Sequence, residues 1–189
     1  AFTGGALFFA DGTKEGDEET VIEYCHFKGI TDGNLKGTSG SAIYCRSYKF
    51  DLSHSIFENY MGPSALISVT LNENNLQPVV TNCTFSKNEQ RIEFESGEGV
   101  TGTGSSISFI RCKFTENNCE MEDGYGVVQN EYIKSEKVTF QECVFDKNKG
   151  QSIRQGDDPR CNTLITKCNF TNNEGTDGCA IYVIYPYKS

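Results

Sequence analysis

The stretch Asn82-Cys83-Thr84-Phe85-Ser86-Lys87-Asn88 is written repeatedly along this chain. It returns as Cys112-Lys113-Phe114-Thr115-Glu116-Asn117, as Cys143-Val144-Phe145-Asp146-Lys147-Asn148 and as Cys168-Asn169-Phe170-Thr171-Asn172-Asn173. Cys25-His26-Phe27 and Ser55-Ile56-Phe57 are eroded copies. A short unit repeated this often cannot bury its own apolar face. Copies must stack on one another, which is the signature of a solenoid.

The residues around each copy say what the stacked elements are. Three positions before the cysteine (or Ser55) stand Ile22, Leu52, Val80, Phe109, Phe140 and Ile165, apolar in every copy. Two positions further back stand Thr20, Phe50, Pro78, Ile107, Val138 and Thr163. The two residues just before the cysteine are largely polar, so the period of two breaks there. The pattern predicts one short strand, a sharp corner, then a second strand burying Cys and Phe.

A second motif follows each Phe at variable distance. Its copies are Gly4-Gly5-Ala6-Leu7, Gly40-Ser41-Ala42-Ile43, Gly97-Glu98-Gly99-Val100, Gly124-Tyr125-Gly126-Val127, Gly150-Gln151-Ser152-Ile153 and Gly178-Cys179-Ala180-Ile181, with Pro63-Ser64-Ala65-Leu66 an imperfect seventh. Glycine, a small residue and a branched apolar one suit a strand at a tight corner. This supplies a third strand per turn. From Ala6 to Ala180 the chain advances 174 residues, which six turns divide into 29 each. The expectation is an all-β chain, one domain over 1–189, folded as a single-stranded parallel β-helix of about six coils with three short strands per coil.

In that fold Phe27, Phe57, Phe85, Phe114, Phe145 and Phe170 form an internal aromatic stack. Asn88, Asn117, Asn148 and Asn173 hydrogen-bond along the axis at a turn, and Ile30 and Tyr60 replace them in the first two coils. Cys25, Cys83, Cys112, Cys143 and Cys168 hold one place in the repeat. Stacked strands set equivalent residues about 4.8 Å apart with side chains parallel, whereas a disulfide wants converging Cβ atoms about 3.8 Å apart. A ladder of buried free thiols is the expectation. Cys45, Cys119, Cys161 and Cys179 lie off it and are able to pair with one another.

The paired signatures, Gly-Gly-Ala-Leu with its variants and Phe-x-x-Asn, resemble the GGA(I/L)–FxxN repeats of the chlamydial polymorphic membrane proteins, within the pectin-lyase-like β-helix class. The resemblance covers nearly the whole chain and implies a right-handed helix. It also implies an exported cell-surface passenger used in adhesion. No autotransporter barrel follows Ser189, and the cysteine ladder is denser than the family motif requires.

Charge narrows the partners. Seventeen Lys and Arg against 26 Asp and Glu give a net charge of -9, which opposes binding to nucleic acid or an anionic membrane. No apolar run is long enough to insert in a membrane. The lack of an initiator Met and a start inside a repeat point to a processed product or a piece of a longer chain. Two sequons, Asn82-Cys83-Thr84 and Asn169-Phe170-Thr171, place glycans at Asn82 and Asn169 if the protein is exported by a eukaryote.

A catalytic cluster on this fold would stand in the outward columns. A glycosidase needs two carboxyl groups about 5–10 Å apart. The column between Cys and Phe reads His26, Ile56, Thr84, Lys113, Val144, Asn169, and the one before Cys reads Tyr24, His54, Asn82, Arg111, Glu142, Lys167. Neither pairs two acids; Arg111, Glu142 and Lys167 read as a solvated charge ladder. His26 and His54 lack a further metal ligand, and Asp11–Glu19 lacks calcium-loop spacing. No cofactor is expected.

Three functions follow. The first is a non-enzymatic extracellular or cell-surface adhesin or scaffold, binding a surface protein or glycan through the long loops Lys28–Ser39, Asn88–Ser96 and Asn117–Asp123. The second is a subunit polymerising head-to-tail into a filament by stacking Gly4, Gly5, Ala6 and Leu7 of one copy on Gly178, Ala180 and Ile181 of the next. The third, by fold analogy alone, is a polysaccharide lyase or glycosidase.

Overall fold

The structure, a computed structural model, describes residues 7–9, 19–29, 42–47, 49–62, 65–71, 76–96, 105–119, 126–130, 137–156, 162–175 and 179–183. Every helix or strand among them is a β-strand. Gly4, Gly5, Ala6, Gly178 and Cys161, the acidic stretch over 11–18 and the loop over 30–39 lie outside the described residues.

The Cys-x-Phe unit forms β3 (His26–Lys28), β6 (Ile56–Glu58), β9 (Thr84–Ser86), β12 (Lys113–Thr115), β15 (Val144–Asp146) and β18 (Asn169–Thr171). These strands stack in parallel with the six Phe residues in one register. The strand before each cysteine forms a second sheet: β2 (Glu19–Glu23), β5 (Lys49–Ser53), β8 (Val79–Thr81), β11 (Ser106–Ile110), β14 (Lys137–Gln141) and β17 (Asn162–Thr166). Ile22, Leu52, Val80, Phe109, Phe140 and Ile165 share its register. The third sheet has seven strands: β1 (Leu7–Phe9), β4 (Ile43–Ser47), β7 (Ile67–Leu71), β10 (Ile92–Ser96), β13 (Gly126–Asn130), β16 (Gln151–Gln155) and β19 (Ile181–Val183). The chain visits each sheet once per turn, and the result is a parallel β-helix of six coils after the opening strand.

The third sheet departs from the glycine motif in three coils. Its inward register runs Leu7, Ile43, Ile67, Ile92, Val128, Ile153 and Ile181. Ile67 replaces Leu66 and Val128 replaces Val127, each a slip of one residue. The larger correction is in coil three. Asn88–Ser96, expected as a long loop, holds a tight turn and β10, while the motif at 97–100 lies outside the described residues. Ile92-Glu93-Phe94-Glu95 alternates with period two, which is strand patterning. Its two glutamates disguise it as a polar loop.

Corners explain how polar residues close each coil. Tyr24, His54, Asn82, Arg111, Glu142 and Lys167, one before each cysteine position, all have φ between 47° and 56°. A left-handed L-residue costs about 1–2 kcal/mol. The strain is held by pairing up the axis: the corner N–H of Tyr24 donates to Ser53 O at 3.2 Å, His54 to Thr81 O at 3.0 Å and Asn82 to Ile110 O at 2.9 Å. A second left-handed corner, at Asn59, Lys87, Glu116, Lys147 and Asn172, follows each Phe strand from coil two onward.

Two ladders fill the interior. The Phe rings stack face to face with centroids 4.5, 5.1, 5.1, 4.6 and 4.8 Å apart from Phe27 to Phe170. Phe109 and Phe140 add a second stack at 5.0 Å, set edge-on against Phe114 and Phe145. Asn88, Asn117 and Asn148 are buried and Asn173 is half-buried. Each amide Nδ2 donates to the Phe carbonyl one coil back: Asn88 to Phe57, Asn117 to Phe85, Asn148 to Phe114 and Asn173 to Phe145, at 2.9–3.1 Å. Each Oδ1 from Asn117 onward accepts both the backbone N–H and the Nδ2 of the asparagine below it. Asn88 Oδ1 accepts the Tyr60 N–H at 3.0 Å, so Tyr60 keeps the turn without extending the ladder.

Candidate functional site

Inward residues serve the fold, so recognition falls to outward columns. The thiols illustrate the division. Cys25, Cys83, Cys112, Cys143 and Cys168 are free and stacked, and Cys45, Cys119 and Cys179 are free as well, so no disulfide joins them. Ser55 takes the ladder position in coil two, fully buried, donating to Ser53 O at 2.7 Å and accepting the Cys25 N–H at 3.1 Å. Burial pushes the Cys83 thiol up to about 11 and that of Cys119 up to about 12. The Cys112 thiol is held up by contact with the Cys143 sulfur and by burial. These groups stay protonated and behave as small apolar side chains.

The exterior of coils one to three is different. At the corner, Tyr24 stands 75% exposed and stacks on His54 with ring centroids 4.8 Å apart and planes 13° apart. The amide of Asn82 donates to His54 Nε2 at 3.1 Å, continuing the column into coil three. Beside this column, on the outer face of the second sheet, lies a shallow open groove of about 170 Å³ lined by Val21, Glu23, Asp51, Ser53, Val79 and Thr81, with Leu52 at its floor. Glu23 Oε1 accepts the Ser53 hydroxyl at 3.2 Å. Asp51 Oδ1 accepts the Val79 N–H at 3.1 Å. Each carboxylate is thereby fixed across two rungs by one of its two oxygens.

On the other side of the corner His26 Nε2 and Lys28 Nζ reach the same Glu58 oxygen at 3.2 and 3.4 Å. Partial desolvation pulls the Glu58 carboxyl upward, and the bonds from His26 and Lys28 outweigh it, so it ionises below its usual range. Both side chains are thus committed to Glu58. Among the described residues no three His, Cys, Asp or Glu side chains gather as a metal site, and no helix is long and apolar enough to cross a membrane.

The same columns change character further along. Arg111, Glu142 and Lys167 replace Tyr24, His54 and Asn82 at the corner, with Lys167 Nζ 4.0 Å from Glu142 Oε1. Of the two sequon asparagines, Asn169 is exposed at the start of β18. Asn82 is half-buried at its corner and bonded to His54.

Column-by-column inspection of the sequence misses Glu23 and Asp51. They stand two and four residues before their ladder positions, in different outward columns, so neither column shows two acids. The register Val21↔Asp51 and Glu23↔Ser53 brings them together on a diagonal. That diagonal is readable only once the strand register is known.

The family follows from the same register. Residues 4–185 match the model of the right-handed beta helix region. The chain belongs to that family. Neither the curated proteins nor the solved structures give a match. This right-handed β-helix therefore has a family-level assignment to its fold, and its role has to be argued from its own surface.

Proposed function

We propose that this β-helix is a non-enzymatic binding module, an extracellular or cell-surface scaffold of the adhesin type that GGA(I/L)–FxxN repeats build. The observation that carries the reading is the exterior of coils one to three, where the Tyr24–His54–Asn82 column stands beside a groove whose carboxylates each use only one oxygen on the scaffold. A rigid interior presents these groups at fixed spacing, which is how repeat scaffolds bind. The recognition surface is then the sheet face and its corner, and not Asn88–Ser96.

Hydrolysis fits this face poorly. Glu23 and Asp51 sit on an open, solvated sheet surface, whereas a general acid needs an enclosed environment to keep its proton near neutral pH. The test is saturable binding of the full chain to surfaces coated with mucin glycoprotein, compared with a variant carrying Tyr24→Asn and His54→Asn. Binding that saturates and falls in the variant supports the module; no saturable binding to such surfaces refutes it.

A second reading, head-to-tail assembly, draws on one further observation. Leu7 of β1 and Ile181 of β19 occupy the same register position at opposite edges of one seven-stranded sheet. Ile181 and Val183 are exposed there. Negative-stain microscopy of the concentrated protein decides this reading: filaments with the coil repeat support it, and monomers alone refute it.

A further inference from the structure

We infer that the groove of coils one to three, together with the exposed Tyr24 ring at the neighbouring corner, is a subsite for a neutral saccharide chain. The inference rests on the binding-module reading and assigns its ligand class.

The groups point to hydroxyl chemistry. Glu23 and Asp51 each spend one oxygen on the scaffold, on Ser53 Oγ and Val79 N respectively. Their remaining oxygens are acceptors without a partner among the described residues, and a carboxylate is among the strongest acceptors for an O–H donor. Ser53 and Thr81 add hydroxyls in the adjoining rungs. Val21, 52% exposed, and Val79 supply small apolar patches between the polar groups. A sugar ring presents the same mixture, hydroxyls at its edge and C–H groups on its face.

Tyr24 supplies what the groove lacks. Its ring is amphipathic and rigid, with two rotatable bonds to immobilise. The stack on His54 fixes the ring plane, and the Asn82 bond fixes His54 in turn. A flat, exposed, preoriented aromatic next to hydroxyl acceptors matches the C–H face of a pyranose.

The alternatives fit less well. An anionic polymer would meet two carboxylates, while His26 and Lys28 across the corner are already paired with Glu58. A peptide adding as a strand pairs along an open sheet edge, here that of β2, whereas the groove is built from side chains on the outer face across β2, β5 and β8. The groove spans three rungs, about 10 Å at 4.8 Å per rung, which suits a short stretch of sugar chain. In coils four to six the same columns carry Ile110, Gln141 and Thr166 beside Arg111, Glu142 and Lys167, without an aromatic at the corner.

The experiment is an amide NMR titration of the full chain with neutral hexasaccharides of glucose, mannose and N-acetylglucosamine, and with hexagalacturonate as the anionic probe. At least one neutral probe is expected to give saturable shifts at Glu23–Tyr24, Ser53–His54 and Thr81–Asn82, leaving coils four to six unmoved. Tyr24→Asn places at this corner the residue that coil three already uses there, so the fold is retained, and it is expected to weaken binding by about tenfold. Glu23→Gln with Asp51→Asn is expected to weaken it comparably. The inference is overturned if no neutral probe shifts these residues, if the shifts map to coils four to six, if hexagalacturonate binds as well, or if Tyr24→Asn binds like the parent. Saturable binding to mucin that falls in the Tyr24→Asn, His54→Asn variant, alongside a failure of the neutral hexasaccharides to bind, would keep the module reading and remove only the neutral saccharide as its ligand.

Discussion

Replacing Asn117 by alanine tests whether the asparagine ladder holds the coils together. Asn117 Oδ1 accepts the Asn88 N–H at 3.0 Å and Nδ2 at 3.1 Å, and its own Nδ2 donates to Phe85 O at 3.0 Å and Asn148 Oδ1 at 2.9 Å. Truncation deletes all four bonds. Asn88, Asn117 and Asn148 are each at most 1% exposed, so water does not reach the Asn88 donors without distortion. An unsatisfied buried group costs about 1–3 kcal/mol, and two orphaned donors therefore cost about 2–6 kcal/mol. That is a large part of the roughly 5–15 kcal/mol by which a domain is stable. Asn173→Ala at the ladder's upper end exposes its neighbour to solvent, and about 1 kcal/mol is expected because water replaces the lost partner. Urea unfolding of both variants gives the comparison. Asn117→Asp separates shape from bonding: it is nearly isosteric, yet it turns two donors into an acceptor facing Phe85 O and Asn148 Oδ1, and it is expected to cost at least as much as alanine. If Asn117→Ala unfolds no more easily than Asn173→Ala, the ladder carries no special stability and the reasoning fails.

Three further outcomes follow from the interior. Phe114, fully buried and stacked on Phe85 and Phe145, should lose about 3–5 kcal/mol on truncation to alanine; a calorimetric midpoint matching the parent would contradict the aromatic stack. Asn130 is 2% exposed with neither Oδ1 nor Nδ2 bonded, in the inward column that holds Val69 and Phe94 on earlier coils. Asn130→Val is therefore expected to stabilise by about 1–3 kcal/mol, read as a higher urea midpoint, and a lower midpoint would show that the amide is satisfied by a bound water. The Cys83 thiol ionises near 11 when folded against an ordinary value of 9.0. Protons leave the unfolded chain first, so its stabilising share is whole below pH 9 and is lost as pH rises towards 11. Cys83→Ser copies Ser55, costs little at pH 7 and should flatten that alkaline loss; an unchanged pH profile would assign the loss to other groups.

Much of the fold was legible because its signals share one register. Phe27, Cys25 and Ile22 keep their spacing in every coil, since two short strands and a one-residue corner admit no insertion without breaking the stacked pairing. The third strand kept no such spacing. Its register position falls four residues after Asn88 at Ile92, five after Asn148 at Ile153 and eleven after Asn117 at Val128. The residue just after the asparagine is still paired from coil to coil, Asn118 with Lys149 and Lys149 with Glu174, so the variation in length falls after it. A glycine motif measured from Phe thus located most coils and misplaced the one whose strand carries Glu93 and Glu95.

The candidate site was less legible for a related reason. Ladders announce themselves by repetition, whereas a binding surface on a repeat scaffold arises where repetition is broken. Tyr24, His54 and Asn82 occupy the same corner as Arg111, Glu142 and Lys167, with the same left-handed backbone, so the fold places no demand on which side chain stands there. Glu23 and Asp51 likewise occupy outward positions that are Gln141 and Ser108 on other coils. Freedom from structural demand is what lets these five residues differ together on three consecutive coils. Their difference also makes the functional argument separable from the structural one: substitutions that import a residue from another coil, Tyr24→Asn foremost, remove the surface while leaving every rung in place, and a loss of binding in such a variant cannot be charged to a loss of fold.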